Sequence, residues 1–292
     1  MLVYGYMKKL IDIIQEVEVN KQAVGHFNFS NIEILHGLVS AASELKLPIM
    51  LGLSEGERKF FGVREARAIV DSLKKEHDIP IFLSADHTYS MVGVKEVVDA
   101  GFDAVVIDGS KLQIEENIAF TKEAVLYAKA KNPDMLVEGE LGYIGTSSKV
   151  LDEIPADVLN SDIKVSPELA SNFVSETGVD LLAPAVGNLH GVLKTMTNPN
   201  LDIELIKAIR QSAGVPLVLH GGSGITDSDF KQAILAGMSI IHINTELRLA
   251  YRNALKITLQ ENPDEISPYK IMAPVVGAIE AKTKEFLHLF TA

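Results

Sequence analysis

Three apolar runs in this chain each carry a histidine at their end: Phe82-Leu83-Ser84-Ala85-Asp86-His87, Val186-Gly187-Asn188-Leu189-His190-Gly191 and Leu217-Val218-Leu219-His220-Gly221-Gly222-Ser223-Gly224. Only eight histidines occur in 292 residues, and there is no cysteine. A single histidine in an apolar run is more often a hydrogen-bonded core group than a ligand. Three at strand ends, on different strands of one parallel sheet, would converge on one edge as imidazole ligands of a divalent metal. His26 and His242 also fall in apolar runs, but earlier along them, and are weaker candidates. Asp86 directly precedes His87. On a regular strand the two would face opposite ways, yet a turn of the backbone at the strand end would place a metal ligand beside a candidate acid–base group. The competing role for Asp86 is capping of the following helix. Glu138 and Glu140 alternate and so share a strand face. Buried acids are costly unless they meet a cation or a basic group, which marks them as site residues. Asp108 ends the run before Gly109 and is a candidate supporting group.

A second signal concerns anions. Gly221-Gly222-Ser223-Gly224 offers backbone N–H groups without side-chain obstruction, and Asn244-Thr245 adds side-chain donors one run later. Gly191 and Lys194 could supply another N–H and a cation, although a loop lysine is more often simply solvated. The chemistry expected is metal-assisted and acts on a small phosphorylated molecule.

Such residues need a scaffold that brings strand ends together. Apolar, β-rich runs recur at Ala23–Phe29, Pro48–Ser54, Pro80–Asp86, Ala104–Gly109, Leu136–Leu141, Leu181–Gly187, Pro216–Gly221 and Ile240–Thr245. Segments with helical spacing separate them, such as Ile32-Leu35-His36-Val39-Ala42. Eight β–α alternations predict an α/β fold of the (β/α)8 barrel type, with the site at the ends of the strands. A doubly wound open sheet is the rival. It would carry a Gly-rich turn after its first strand, and Asn28-Phe29-Ser30-Asn31 is none. The whole chain, 1–292, reads as one barrel domain. The long polar stretch after the fifth run, within 143–165, is expected to form a lid, since long loops after barrel strands lie on the catalytic face. Residues 262–292 are expected to form a C-terminal helical arm, with a helix over Pro274–Leu289 that could pack on a neighbouring copy.

The net charge of −12 and the absence of a Lys/Arg-rich block argue against nucleic acid or an anionic membrane as partner. Without cysteine, any metal must be held by imidazole and carboxylate. Met1–Lys9 lacks the apolar core of a signal peptide, and no apolar run is long enough to span a bilayer. A cytoplasmic protein is expected.

The ordered set Ala85-Asp86-His87, Glu138-Gly139-Glu140-Leu141-Gly142, Gly187-Asn188-Leu189-His190-Gly191 and Leu219-His220-Gly221-Gly222-Ser223-Gly224-Ile225 resembles the class II, metal-dependent ketose-bisphosphate aldolases, which include fructose-bisphosphate and tagatose-bisphosphate aldolases. The resemblance runs from about Leu10 to Leu287. It implies a homodimeric or homotetrameric barrel with zinc or a related divalent ion, and often a monovalent cation (Na+ or K+) near the phosphate. By matching motif it implies that His87, His190 and His220 hold the metal. Asp86 would exchange the C4 hydroxyl proton, and Glu140 would lie close to the metal. Gly191, Gly221, Gly222, Ser223, Asn244 and Thr245 would form the dihydroxyacetone phosphate site, with Asn28 and Ser54 at polar positions near the substrate. A metal Lewis acid would remove the need for a Schiff-base lysine.

Two departures stand out. Family loops after the fifth strand usually read Gly-x-x-Gly-Gly followed by acidic residues; here Gly145 is followed by Thr146-Ser147-Ser148-Lys149, and Tyr143, Asp152 or Glu153 are the groups that could take the missing acid's place. On the eighth strand the family commonly has Asn-x-x-Thr, with the asparagine on substrate, and here the sequence is His242-Ile243-Asn244-Thr245.

The expected activity is reversible aldol cleavage of a ketose 1,6-bisphosphate, most simply fructose 1,6-bisphosphate. Tagatose 1,6-bisphosphate or another phosphorylated ketose is the alternative substrate. A Schiff-base aldolase has no candidate, because no predicted strand contains a lysine. A barrel that binds sugar phosphate without turning it over is the non-enzymatic alternative, disfavoured because metal sites cost free energy to assemble.

Overall fold

The computed structural model describes residues 8–145, 149–159, 165–194 and 198–292. In chain order, α1 (Leu10–Val19) precedes β1 (Val24–Asn28), α2 (Ile32–Leu45), β2 (Ile49–Leu53), α3 (Glu55–Phe61), α4 (Val63–Glu76), β3 (Ile81–Thr88), α5 (Met91–Asp99), β4 (Ala104–Ile107), α6 (Ile114–Lys131) and β5 (Leu136–Leu141). There follow β6 (Val150–Leu151), α7 (Ala156–Leu159), α8 (Pro167–Thr177), β7 (Leu181–Pro184), β8 (Val192–Leu193), α9 (Ile203–Ala213), β9 (Leu217–Leu219), α10 (Asp227–Ala236), β10 (Met238–Ile243), α11 (Thr245–Glu261) and α12 (Pro268–Thr291). Strands β1, β10, β9, β7, β5, β4, β3 and β2 pair in that order as a closed barrel, and all eight expected runs are in it. The two-residue strands β6 and β8 pair with each other outside it, so β7, β9 and β10 are the sixth, seventh and eighth barrel strands.

Local chemistry sets the element boundaries. Asn31, Ser90, Ser166, Asp202 and Thr226 each accept a backbone N–H at the start of the helix they precede, filling donors that have no partner within the helix. Gly178 and Gly214 close α8 and α9 at positive φ, where a side chain would be strained. Pro48, Pro80 and Pro216 stand just before β2, β3 and β9, where a missing N–H breaks no ladder bond.

Side-chain alternation divides the interior. Phe27, Leu51, Leu83, Val105, Val137, Leu182, Leu219 and Ile241 belong to the main core that includes the helices. Val24, Met50, Phe82, Ala104, Leu136, Leu181, Val218 and Ile240 form a separate apolar cluster with Leu10, Ile13, Ile14 and Val17 of α1. Helix α1 thus stoppers the N-terminal end of the barrel, and Ile14 is fully buried there. Truncating Ile14 to Ala would cost roughly 2–5 kcal/mol through lost transfer energy and the cavity left behind.

The C-terminal segment forms the expected helix, longer at both ends than Pro274–Leu289. Its helix begins at Pro268, and its buried face of Val275, Ile279, Phe286, Leu287 and Phe290 is turned to this chain's own barrel. Ile279 meets Gly37 of α2, where an added Cβ would lie 2.7 Å away. Phe290 O accepts the N–H of Ala23 at the entrance to β1. Burial of that apolar stripe is satisfied within the chain, so α12 serves as a wall helix. Among the described residues, no helix is long and apolar enough to cross a membrane.

Candidate metal centre and anion pocket

Asp86 and His87 both reach the barrel mouth because β3 is not regular there. His87 has φ +40°, left-handed for a non-glycine residue, and the β3–β4 register shifts between Ala85 and Thr88. The local strain, of order 1–3 kcal/mol, turns the carboxylate and the imidazole toward the same space. Helix capping of α5 falls to Ser90, not Asp86. Arg58 of α3 fixes the distorted strand from behind: its guanidinium donates to the carbonyls of Leu53 (2.6 Å) and Asp86 (2.9 Å) and to Thr88 Oγ1 (3.2 Å).

His87, His190 and His220 meet across the mouth, each offering a nitrogen within 4.8 Å of the others. In each ring the second nitrogen is tied to an acceptor. His87 Nδ1 lies 2.9 Å from Asp108 Oδ2, with Glu140 Oε1 2.7 Å away but off the hydrogen-bonding line. His190 Nδ1 donates to Gly145 O at 2.6 Å. His220 Nε2 donates to Glu138 Oε1 at 2.6 Å. A carbonyl or carboxylate can only accept, so these partners hold a proton on one nitrogen of each ring and leave His87 Nε2, His190 Nε2 and His220 Nδ1 as the atoms that would offer lone pairs to a cation displacing any proton there. His220 Nδ1 is buried with no hydrogen-bond partner among the described residues. Three convergent lone pairs backed by carboxylates and a carbonyl are the donor set of a divalent metal such as zinc, so the residues present fit one.

The electrostatics follow from burial and charge. Burial works against a proton on His190, and His87 and His220 add to it, pushing its pKa down to about 3; its ring is neutral and able to coordinate. Burial opposes charge on His87 too, but Asp86, Glu140 and Asp108 hold its pKa well above the ordinary value. His220 is likewise raised, because Glu140 and Glu138 outweigh burial. Burial and then Asp108 raise Glu140. A cluster with this much negative charge around imidazoles favours a cation among them. Burial alone would raise Asp86, yet His87, His242 and His26 keep its carboxyl well below the usual range.

Asp86 Oδ2 accepts from Asn28 Nδ2 at 2.8 Å, and Oδ1 has no hydrogen-bond partner among the described residues. Asn28 spends its other proton on Glu57 Oε2 at 2.8 Å. Glu57 also takes the N–H and hydroxyl of Ser54, both at 2.8 Å, and Arg248 Nη2 at 2.6 Å. Ser54 is therefore engaged at the start of α3, and it does not line the pocket.

The pocket is bounded by Asn28, Asp86, His87, His190, His220 and His242 on one side. Gly191, Gly221, Gly222, Ser223, Asn244 and Thr245 bound it on the other, with no lysine or arginine among the described lining residues. An anion there would be met by backbone N–H groups and the first turn of α11, whose N-terminal donors have no partner within the helix. Asn198 ties this side together, donating to Gly191 O (2.8 Å) and Ser223 O (2.9 Å). Gly221 at φ +63° approaches the Leu189 carbonyl so closely that a Cβ would sit 2.5 Å from it.

Other expected residues lie apart. Lys194 pairs with Asp152 at 2.7 Å in solvent and does not line the pocket. Lys194 and Asp152 directly follow the paired strands β8 and β6 on exposed segments, and each finds its opposite charge there. Glu153 is exposed, and Tyr143 OH donates to Asp157 at 2.8 Å. Thr146-Ser147-Ser148 and residues 160–164, part of the expected lid, lie outside the described residues. The sequence reading missed Glu57, Arg58, Asn198 and Arg248, which are ordinary polar residues in sequence. Only for Glu57 was there a signal: it stands three residues after Ser54, the spacing of a capping box.

A closed parallel barrel whose mouth joins a three-imidazole metal centre to an anion pocket defines a metal-dependent barrel enzyme acting on phosphorylated ligands. Comparison with known proteins narrows this. The family model described as "Fructose-bisphosphate aldolase class-II" matches residues 8–292. A fructose-bisphosphate aldolase of Geobacillus stearothermophilus is 37% identical over 282 residues, covering 94% of this chain and 95% of the relative. One from Staphylococcus aureus (strain Mu50) is 36% identical with the same coverage. The crystal structure of the YdjI aldolase from Escherichia coli K12 superposes with a TM-score of 0.80 at 32% identity, over 96% of this chain and 95% of that one. The chain belongs to the class II fructose-bisphosphate aldolase family.

Proposed function

We propose that this protein cleaves fructose 1,6-bisphosphate reversibly to dihydroxyacetone phosphate and glyceraldehyde 3-phosphate. The observation that carries the reading is the three lone pairs of His87, His190 and His220, set by Gly145, Glu138 and Asp108, beside a carboxylate with one unpartnered oxygen and a pocket for an anion. A divalent ion held by these histidines, most simply zinc, supplies Lewis acidity to a ketone oxygen.

The chain's own residues do the rest. Asp86 is ionised and takes the C4 hydroxyl proton through Oδ1 as the C3–C4 bond breaks and its electron pair passes to C3 of the ketone fragment. A proton delivered from solvent to C3 completes dihydroxyacetone phosphate; in the aldol direction C3 gives up that proton and Asp86 returns its own to the aldehyde oxygen. Asn28 holds Oδ2 and so aims that oxygen. The phosphate next to the ketone rests on the loop Gly221–Ser223 and the start of α11, where N–H groups stand in for cationic side chains. Glu140 lies between His87 and His220 and balances the charge of the centre. Residues 143–145 and 149–159, the described part of the segment after β5, act as a cover of the mouth, and the protein works in the cytoplasm as a homodimer or homotetramer.

The test is cleavage of fructose 1,6-bisphosphate, followed by release of dihydroxyacetone phosphate, with zinc supplied. Activity is expected to disappear on chelation and in His220→Ala, and to return to the wild type on adding metal. Full activity in metal-free protein would overturn the proposal.

A further inference from the structure

Two histidines at the barrel mouth belong neither to the metal triad nor to the anion loops. His26 on β1 and His242 on β10 are register partners on neighbouring strands. Their rings lie face to face, 3.6 Å between centroids and 12° from parallel. His242 stacks in turn on His220 at 4.0 Å and 29°. The column is let into the barrel by a glycine: a Cβ on Gly52 of β2 would be 2.2 Å from His26 Cε1 and 2.7 Å from Nε2. His26 is fully buried and His242 is 6% exposed. Neither nitrogen of His26, nor His242 Nε2, has a hydrogen-bond partner among the described residues.

Polar rings would not be placed in such a position for burial alone, since each unpaired nitrogen carries a desolvation cost. The sandwich between His26 and His220 sets the plane of the His242 ring. In that plane Nδ1 lies 3.5 Å from Asp86 Oδ1, the oxygen that Asn28 leaves free. His87 Nε2 is the other nitrogen near that oxygen, at 3.6 Å; as a metal ligand it presents a lone pair and cannot donate. His242 Nδ1 makes no hydrogen bond to Oδ1 here, but it is the remaining nitrogen positioned to donate to that oxygen from the strand side.

We propose that His26 and His242 form a stacked brace with two separable duties: the ring of His242 fixes the plane of the metal ligand His220, and its Nδ1 edge aims Asp86. His242 is a positioning residue. The second duty rests on the aldolase reading above; the first does not.

Two substitutions separate them. His242→Phe keeps a flat ring in the stack and removes the donor edge. His242→Asn keeps an amide N–H near the place of Nδ1 and removes the ring. Zinc affinity is measured by competition with a chelator, and kcat and KM by fructose 1,6-bisphosphate cleavage at saturating zinc. The Phe variant is expected to bind zinc within threefold of wild type and to lose at least tenfold in kcat with KM little changed. The Asn variant is expected to bind zinc at least tenfold more weakly yet to exceed the Phe variant in kcat. His26→Ala, which unseats the column without touching Asp86 or His220, should weaken zinc in the same direction as His242→Asn, and His26→Phe should restore it. A general folding defect would move both readouts together in both His242 variants, and that result overturns the brace, as does wild-type zinc affinity in His242→Asn. If wild-type protein binds zinc but does not cleave the bisphosphate, the functional reading fails while the zinc arm still decides the first duty.

Discussion

The five histidines of the barrel mouth fall into two sets that are held by different forces. In the triad each ring has one nitrogen tied to a carbonyl or carboxylate, and orientation is written in hydrogen bonds. In the His26–His242 pair no nitrogen has a short partner among the described residues, and the ring planes are set by shape, by face-to-face contact and the missing side chain of Gly52. The contrast teaches that hydrogen bonds specify which nitrogen of a ring faces a ligand, whereas stacking specifies the plane in which a ring lies.

The hardest blow to the site should come where the two sets meet, at Asp86. Asp86→Asn is expected to lower kcat by about 10²–10⁴-fold, the usual worth of a positioned acid–base group, with zinc affinity changed by less than threefold; an equal loss in both would place Asp86 among the metal's supports instead. The shape-held set should betray itself in acid. Burial, followed by the charges of His220 and His87, lowers the His26 pKa to about 4 from 6.5 despite Asp86. Between those values the unfolded chain binds a proton that the folded chain does not, so stability falls as pH drops from the higher value and the loss is complete near the lower. At about 1.36 kcal/mol per pH unit this is about 3 kcal/mol, which His26→Phe should spare; urea unfolding at neutral pH and near pH 4 measures it, and parallel pH profiles would refute the assignment. The hydrogen-bonded set should respond instead through the metal. Glu138→Gln replaces the carboxylate that fixes His220, and a 10–100-fold loss of zinc affinity is expected, with cleavage recovered at high zinc. Least of all should follow from Lys194→Ala. Its solvent-exposed pair with Asp152 contributes no more than about 1 kcal/mol, and activity should stay within twofold; a rise in KM of tenfold would return this lysine to the phosphate site.

Much of this arrangement was legible in the sequence, for identifiable reasons. Strand runs show as apolar residues with β-rich composition, and a closed parallel barrel forces strand ends together, so His87, His190 and His220 reach one pocket from three positions far apart in the chain. The alternation of Glu138 and Glu140 likewise survives folding, and the two acids go to different histidines. What could not be read depends on contacts across the sheet. The turn that brings Asp86 and His87 to one side was expected from their place at a strand end, but its form, a left-handed backbone at His87, has no residue signature. Lys194 is indistinguishable in sequence from a phosphate ligand until Asp152, 42 residues away, is found beside it. His26 and His242, 216 positions apart by their numbers, become a pair only through the β1–β10 closure that completes the barrel.

The stopper formed by α1 and the apolar layer above it closes the N-terminal end of the barrel, so the pocket at the mouth is reached from the opposite end. Under the proposed function, the fragment that rests against the histidines and the start of α11 enters before its partner in synthesis and departs after it in cleavage. Product-inhibition patterns should carry that order: dihydroxyacetone phosphate competing directly with the bisphosphate, and the aldehyde not. With the floor of the barrel closed, arrivals and departures are ordered at the mouth.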